Sequence, residues 1–358
     1  MKKLLLTLLL ISSVIRAQEI IDIGTKHPIF SSVLNENRSY WVYLPPLYDD
    51  ERYGKAHYPV IYLLDGEKFF HTLVGIQKNY TRGMYNNMPE CIVVGVINTD
   101  RTRDMTPSRS SVIHNGVKRY ENSGGGNTFT EFLTEELRAT VNNNYRTNGY
   151  NILIGHSFGG LATLNVFLDH TDSFNAYIAI DPSTWWDDYL ICKRVQEKSL
   201  NEEIQDKQLY IAYSTDKEDI PENENANNKE KLSCRSINLE MKNYKEYTFD
   251  GENHGTVVIP GISNGLRYIF DGIELPVKDV PRNPELIGIY YKKLSDKTGF
   301  TFIPDEIVVD NIGKYAIQLE EKENARKIFE YNIINYPDSK NARKSFELTR
   351  KQKTIENE

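Results

Sequence analysis

The sequence predicts an α/β protein: a mostly parallel central sheet flanked by helices, with a small α-helical region after it. Three observations predict it. Short β-rich apolar runs alternate with helically periodic segments between residues 38 and 250. A serine between glycines stands where one of these runs meets a helical pattern, and after Pro276 the composition turns charged and helical.

The chain has 358 residues, enough for one large domain with an appendage or for two medium domains. Hydrophobic residues make up 39% and charged residues 26%, so neither disorder nor a fibrous repeat is indicated. A net charge of -7 argues against a nucleic-acid footprint, which needs a concentrated basic face. A small-molecule ligand is the expected partner, and 23 tyrosines with 14 phenylalanines suffice to line an aromatic pocket.

The first element is a leader. Lys2 and Lys3 precede the apolar run Leu4 to Ile11, and Ala17 follows as a small residue at a cleavage point. Residues 1–17 therefore read as a signal peptide, which predicts a periplasmic or secreted protein. The run is too short for a permanent membrane anchor, no cysteine beside the cleavage point can accept a lipid, and no later segment reaches membrane length. Cys91, Cys192 and Cys234 are odd in number, and the reading is of no disulfide framework and no metal site.

Residues 18–275 carry the α/β pattern. A hairpin, Ile29 to Leu34 and Arg38 to Leu44 across Asn35-Glu36-Asn37, starts the sheet antiparallel. The remaining runs are Pro59 to Leu64, Cys91 to Ile97, Asn151 to Ile154, Ala176 to Ile180, Leu209 to Tyr213 and Tyr247 to Phe249. Helices are expected from Phe129 to about Asn144 with Thr128 as cap, from just after Ser157, and from Ile259 to Phe270. The stretches Asn122 to Asn127 and Asp216 to Glu230 read as loops. In residues 276–358 the spacing of Gly313, Ala325, Phe329 and Pro337 resembles a single tetratricopeptide repeat, although Ala316 replaces the usual aromatic. One repeat cannot bury its own faces, so the helices are expected to pack on the preceding domain or to contact a protein partner.

Gly155-His156-Ser157-Phe158-Gly159 carries the chemistry. In a strand–turn–helix context, GxSxG is the nucleophile elbow of the α/β-hydrolase fold. A strained turn presents the Ser157 hydroxyl at the carboxyl end of the sheet and sets the Phe158 N–H beside it as an oxyanion donor. Serine needs a base, and of seven histidines only His254 follows the last strand. His156 belongs to the elbow and His170 ends a helix. The acid that orients the base is expected after the run Leu209 to Tyr213, which favours Asp216; Glu218, Glu252, Asp181 or no acid at all stay open. The second oxyanion donor is expected from Leu64-Asp65-Gly66-Glu67, as the N–H of Glu67 or its neighbour, with Asp65 bracing the loop. Trp185 and Trp186 can stack on an aromatic or sugar-like substrate or fill the core. Arg103 can hold an anionic acyl group or form an internal Arg–Asp brace. This chemistry requires no metal or organic cofactor.

Together Tyr62-Leu63-Leu64-Asp65-Gly66, Arg101-Thr102-Arg103-Asp104-Met105-Thr106-Pro107, the elbow with Gly160, and Asp181-Pro182-Ser183-Thr184-Trp185-Trp186-Asp187 resemble the esterases related to ferric enterobactin esterase and esterase D, over roughly residues 25 to 273. The resemblance implies carboxylic ester hydrolysis through an acyl-enzyme, on siderophore-type esters or on aromatic or acyl sugar esters. The competing expectation is a catalytically silent binding protein that keeps the scaffold and acts through its helical C-terminus.

Overall fold

The computed structural model describes residues 22–110, 113–114, 117–198, 204–215, 239 and 241–351. Residues 1–17, Asp216 and Glu218 lie outside the described residues, as does Cys234.

An eight-stranded sheet runs in the order β1-β2-β4-β3-β7-β8-β9-β10. Thr25–Ser31 (β1) and Glu36–Tyr43 (β2) form the expected antiparallel hairpin, and β2 pairs antiparallel with Ile92–Val96 (β4). Every further pairing in this sheet is parallel, through Tyr58–Leu63 (β3), Thr147–His156 (β7), Ala176–Ile180 (β8), Gln208–Ser214 (β9) and Tyr244–Phe249 (β10). Ile113–His114 (β5) and Val117–Lys118 (β6) pair apart from it. Strands β3, β4 and β8 are buried at every residue, which is why they read as continuous apolar runs rather than alternating ones.

The helices depart from the sequence expectation in four places, the fourth being Trp186–Lys198. Gly66–Tyr80 (α1), which the sequence expectation does not include, follows β3 directly; its buried face, Phe70, Leu73, Val74 and Gln77, has helical spacing, with Gly75 on the exposed side. Arg101–Met105 (α2) adds a short turn after β4. The helix expected from Phe129 begins at Gly126 (α3, Gly126–Glu131), so Thr128 is not its cap; it continues through a π-helical stretch, Phe132–Leu137, into Arg138–Asn144 (α4). The glycines before it pack rather than loop freely. A Cβ on Gly125 or Gly126 would lie 2.8 Å from Arg103 Cγ or Thr106 O respectively.

Phe158–Asp169 (α5) and Val258–Ile269 (α7) match expectation, and Trp186–Lys198 (α6) lies between them in the chain. Cys192, on α6, is disulfide-bonded, which corrects the expectation of no disulfide, while Cys91 is free and buried. An odd count forbids pairing all three cysteines; it does not forbid one pair.

Beyond the sheet come Glu285–Thr298 (α8), Glu306–Gln318 (α9), Lys322–Asn335 (α10) and Lys340–Lys351 (α11). They pack on the α/β unit. Phe300 and Phe302 meet Tyr150 at ring distances of 5.3 and 5.0 Å, Glu306 accepts the Gly54 N–H at 2.7 Å, and the Asn341 N–H reaches the Arg52 carbonyl at 2.8 Å. One hydrophobic cluster runs from the sheet through Phe270 to Ile312 and Phe329.

Candidate active site

Ser157 joins β7 to α5 at φ 60° and ψ −120°, a conformation that side chains rarely adopt and that costs about 1–3 kcal/mol. Neighbouring strand ends hold it there: its N–H donates to the Ile180 carbonyl at 3.0 Å, and its own carbonyl accepts from the Ser183 N–H at 3.2 Å. Glycine is required at two flanking positions. A Cβ on Gly155 would overlap the Gly159 carbonyl, and one on Gly160 would stand 2.9 Å from Pro182 Cα. The Ser157 hydroxyl lies 3.4 Å from that of buried Ser183.

His254 sits between β10 and α7, and its Nδ1 is 2.8 Å from Asp181 Oδ2. Asp216 and Glu218, favoured by chain order, are outside the described residues; the carboxylate that the described structure places on His254 Nδ1 belongs to Asp181. Strand register explains how it arrives. His156 pairs with Ile180, so Ser157 and Asp181 leave neighbouring strands at the same level. Asp181 also accepts from Ser214, from the hydroxyl at 2.7 Å and the N–H at 3.2 Å. Burial opposes its ionisation, but the hydrogen bonds from His254 and Ser214 prevail and hold its carboxyl below the usual range. Glu252 meets Thr215 through its backbone carbonyl.

His156 is a site residue that chain order passed over. Its ring lies 4.5 Å from that of His254, and its Nε2 is 2.7 Å from the His254 carbonyl. The signal was its place beside the serine, which the elbow motif leaves unspecified.

Two helix starts meet beside Ser157. Leu161 is the first residue of α5 to bond back, to the Ser157 carbonyl, which leaves the Phe158 N–H without an intrahelical acceptor. In α1 the first such residues are Lys68 and Phe69, on the Asp65 carbonyl, which leaves Glu67 and Gly66 in the same condition. The two starts touch, since a Cβ on Gly159 would lie 3.5 Å from Leu64 Cβ and 3.3 Å from Asp65 Oδ2. The fully buried Asp65 carboxylate braces the turn through Arg101, at 2.6 and 2.9 Å, and Asn98, at 2.7 Å. Its φ of 54° makes Asp65 itself the left-handed residue; Gly66 is needed instead because a Cβ there would lie 2.6 Å from the Gly95 backbone.

Of the two roles open to Arg103, the described structure has the internal brace: Glu36 holds it at 2.7 and 3.0 Å and Asp104 at 2.7 Å. Trp186 is 1% exposed and donates its indole N–H to the Ser108 hydroxyl, so it fills the core. Trp185 stays half-buried, 6.0 Å from the Phe158 ring and 6.3 Å from half-buried Tyr120, a neighbour that periodicity did not reveal. Among the described residues no group of three or more His, Cys, Asp or Glu side chains could hold a metal ion.

Comparison with known proteins identifies the family. The family described as "Putative esterase" matches residues 31–256. Ferri-bacillibactin esterase BesA of Bacillus subtilis (strain 168) is 28% identical over 268 residues, 68% of this chain and 89% of that protein. Siderophore enterobactin esterase of Emericella nidulans is 24% identical over 250 residues, 58% and 81%. The crystal structure of an IroE-like serine hydrolase from Shewanella oneidensis superposes with a TM-score of 0.75 at 26% identity, covering 86% of this chain and 98% of that one. With a family match across most of the α/β unit and an elbow serine at its edge, the chain belongs to this esterase family and is a serine ester hydrolase of the α/β-hydrolase fold.

Proposed function

We propose that the protein is an exported esterase that opens siderophore-type esters through an acyl-enzyme formed on Ser157. The observation that carries this reading is the contact between His254 Nδ1 and Asp181 beside the elbow, which places the proton on Nδ1 and makes Nε2 the basic nitrogen. Ser157 Oγ attacks the ester carbonyl while His254 removes its proton, and the N–H groups of Phe158 and Glu67 hold the oxyanion. The tetrahedral adduct collapses, the alcohol leaves with the proton from His254, and water activated by His254 releases the acid. Asp181 stabilises the imidazolium at each step.

The substrate class draws support from relatives named as siderophore esterases and from half-buried Trp185 and Tyr120 near Phe158, which suit an aromatic contact. Export rests on the leader pattern of residues 1–17. In purified protein, Ser157→Ala is expected to lower kcat on a p-nitrophenyl ester by roughly 10³- to 10⁶-fold, and a fluorophosphonate probe should label the native enzyme alone. Mass spectrometry of a catecholate trilactone siderophore should show serine-dependent ring opening. An unlabelled native protein favours the silent binding scaffold, and labelling without ring opening rejects the siderophore.

A further inference from the structure

We propose that His156, the residue directly before the nucleophile, is a positioning residue that fixes the catalytic base by donating its Nε2–H to the backbone carbonyl of His254. The inference rests on reading His254 as the general base. The two atoms are 2.7 Å apart. A carbonyl oxygen only accepts, so the contact requires the tautomer with the proton on Nε2.

The surroundings favour that neutral form. His156 is 9% exposed, its ring lies tilted against that of His254 at 4.5 Å, and the Phe69 ring meets it edge-on at 5.6 Å. Burial and the neighbouring imidazole push its pKa down to about 4, against the opposing pull of the bond to the His254 carbonyl and of the Asp181 and Asp65 carboxylates. At working pH His156 therefore donates one hydrogen bond and adds no charge beside the base.

The base needs such an anchor. His254 lies in a segment outside regular structure, between the end of β10 at Phe249 and the start of α7 at Val258, and its neighbours Asn253 and Gly255 are exposed. Asp181 holds the ring through Nδ1, and the backbone before it is tied where the Glu252 carbonyl accepts from the Thr215 N–H and the Asn253 carbonyl from the Thr256 and Val257 N–H groups. His156 supplies a second point on the same residue, from the strand end that carries Ser157. The base is then tied directly to β7, the strand that carries the nucleophile.

The test uses the full-length protein with p-nitrophenyl acetate as the probe and two variants. His156→Phe keeps a ring of similar size without the donor; His156→Gln keeps an N–H within reach of the carbonyl. His156→Phe is expected to lower kcat by roughly ten- to hundredfold with little change in KM, and His156→Gln to restore most of the loss at an unchanged melting temperature. The downfield proton resonance of His254 Nδ1–H should persist in the native and Gln proteins and vanish in Phe. Native activity in the Phe variant overturns the proposal, as does an equal loss in both variants. Should the Phe variant not fold, nitrogen-15 spectra of the native protein decide, because an Nδ1–H tautomer at His156 excludes the bond. A native protein with no Ser157-dependent turnover would defeat the esterase reading instead, and the tautomer measurement would still judge His156.

Discussion

Asp181 has two hydrogen-bond partners that pull in one direction. His254 and Ser214 both donate to its carboxylate, which keeps it charged despite burial. A depressed folded-state pKa means that its contribution to stability is present above the ordinary carboxylate range and is lost as pH falls through the folded value. Asp181→Asn keeps the shape but presents an amide where a carboxylate is needed, and kcat should fall by roughly 10²- to 10⁴-fold. Asp216→Asn should leave kcat within about twofold, because the Asp181 carboxylate already stands on His254 Nδ1. Steady-state kinetics on both variants decides between them, and the reverse pattern would return the role to the loop. Ser157 and His254 were legible because local sequence and chain order specify them. Asp181 was not singled out, because which acid meets the base depends on strand register and a positive φ at residue 181, neither of which a linear reading ranks.

At the scale of elements, the strand–elbow–helix unit is a packing solution that admits one residue type at its tightest point. A side chain at residue 155 would enter the Gly159 carbonyl, so the first turn of α5 could no longer lie against β7. Gly155→Ala should destabilise the fold by roughly 1–3 kcal/mol or more, and it should lower activity further by moving Ser157. Urea denaturation followed by circular dichroism measures the first effect, and an unchanged midpoint would show that the turn yields. Strands were readable because both faces of the sheet are covered, which turns β3, β4 and β8 into uninterrupted apolar runs. Helix α1 was missed although Phe70, Leu73, Val74 and Gln77 keep helical spacing; one of the four is polar, so its apolar stripe is short. The aromatic pair separates: Trp185 and Trp186 are adjacent in sequence, yet the backbone turns one into the core and leaves the other half-buried.

For the whole molecule, the C-terminal helices and the α/β unit share one hydrophobic cluster, so they should unfold together in a single transition. Their seam also holds carboxyl groups poorly suited to being charged. Glu90 and Asp305 line a cavity of about 40 Å³ with Tyr58 and Tyr336, and Glu90 Oε2 is buried with no hydrogen-bond partner. Burial, then the neighbouring Asp305, pushes the Glu90 carboxyl up to about 8, with Lys78 and Thr81 opposing; burial lifts Asp305 to about 7 against the Glu90 N–H. Folded-state values above the ordinary ones of 4.5 and 3.8 make the sign definite. The stability these groups contribute is complete below their unfolded values and is lost as pH rises through the folded ones. The melting temperature should therefore decline from about pH 5 to about pH 8, as both carboxyls release protons that the fold retains better than the unfolded chain. Glu90→Gln removes one of the two shifts while keeping the shape, so it should flatten that decline and raise the melting temperature most at the alkaline end. Scanning fluorimetry of both proteins across the range tests the seam and the shared core at once. Two resolved transitions would separate the helices from the sheet, and parallel pH profiles would remove Glu90 from the account.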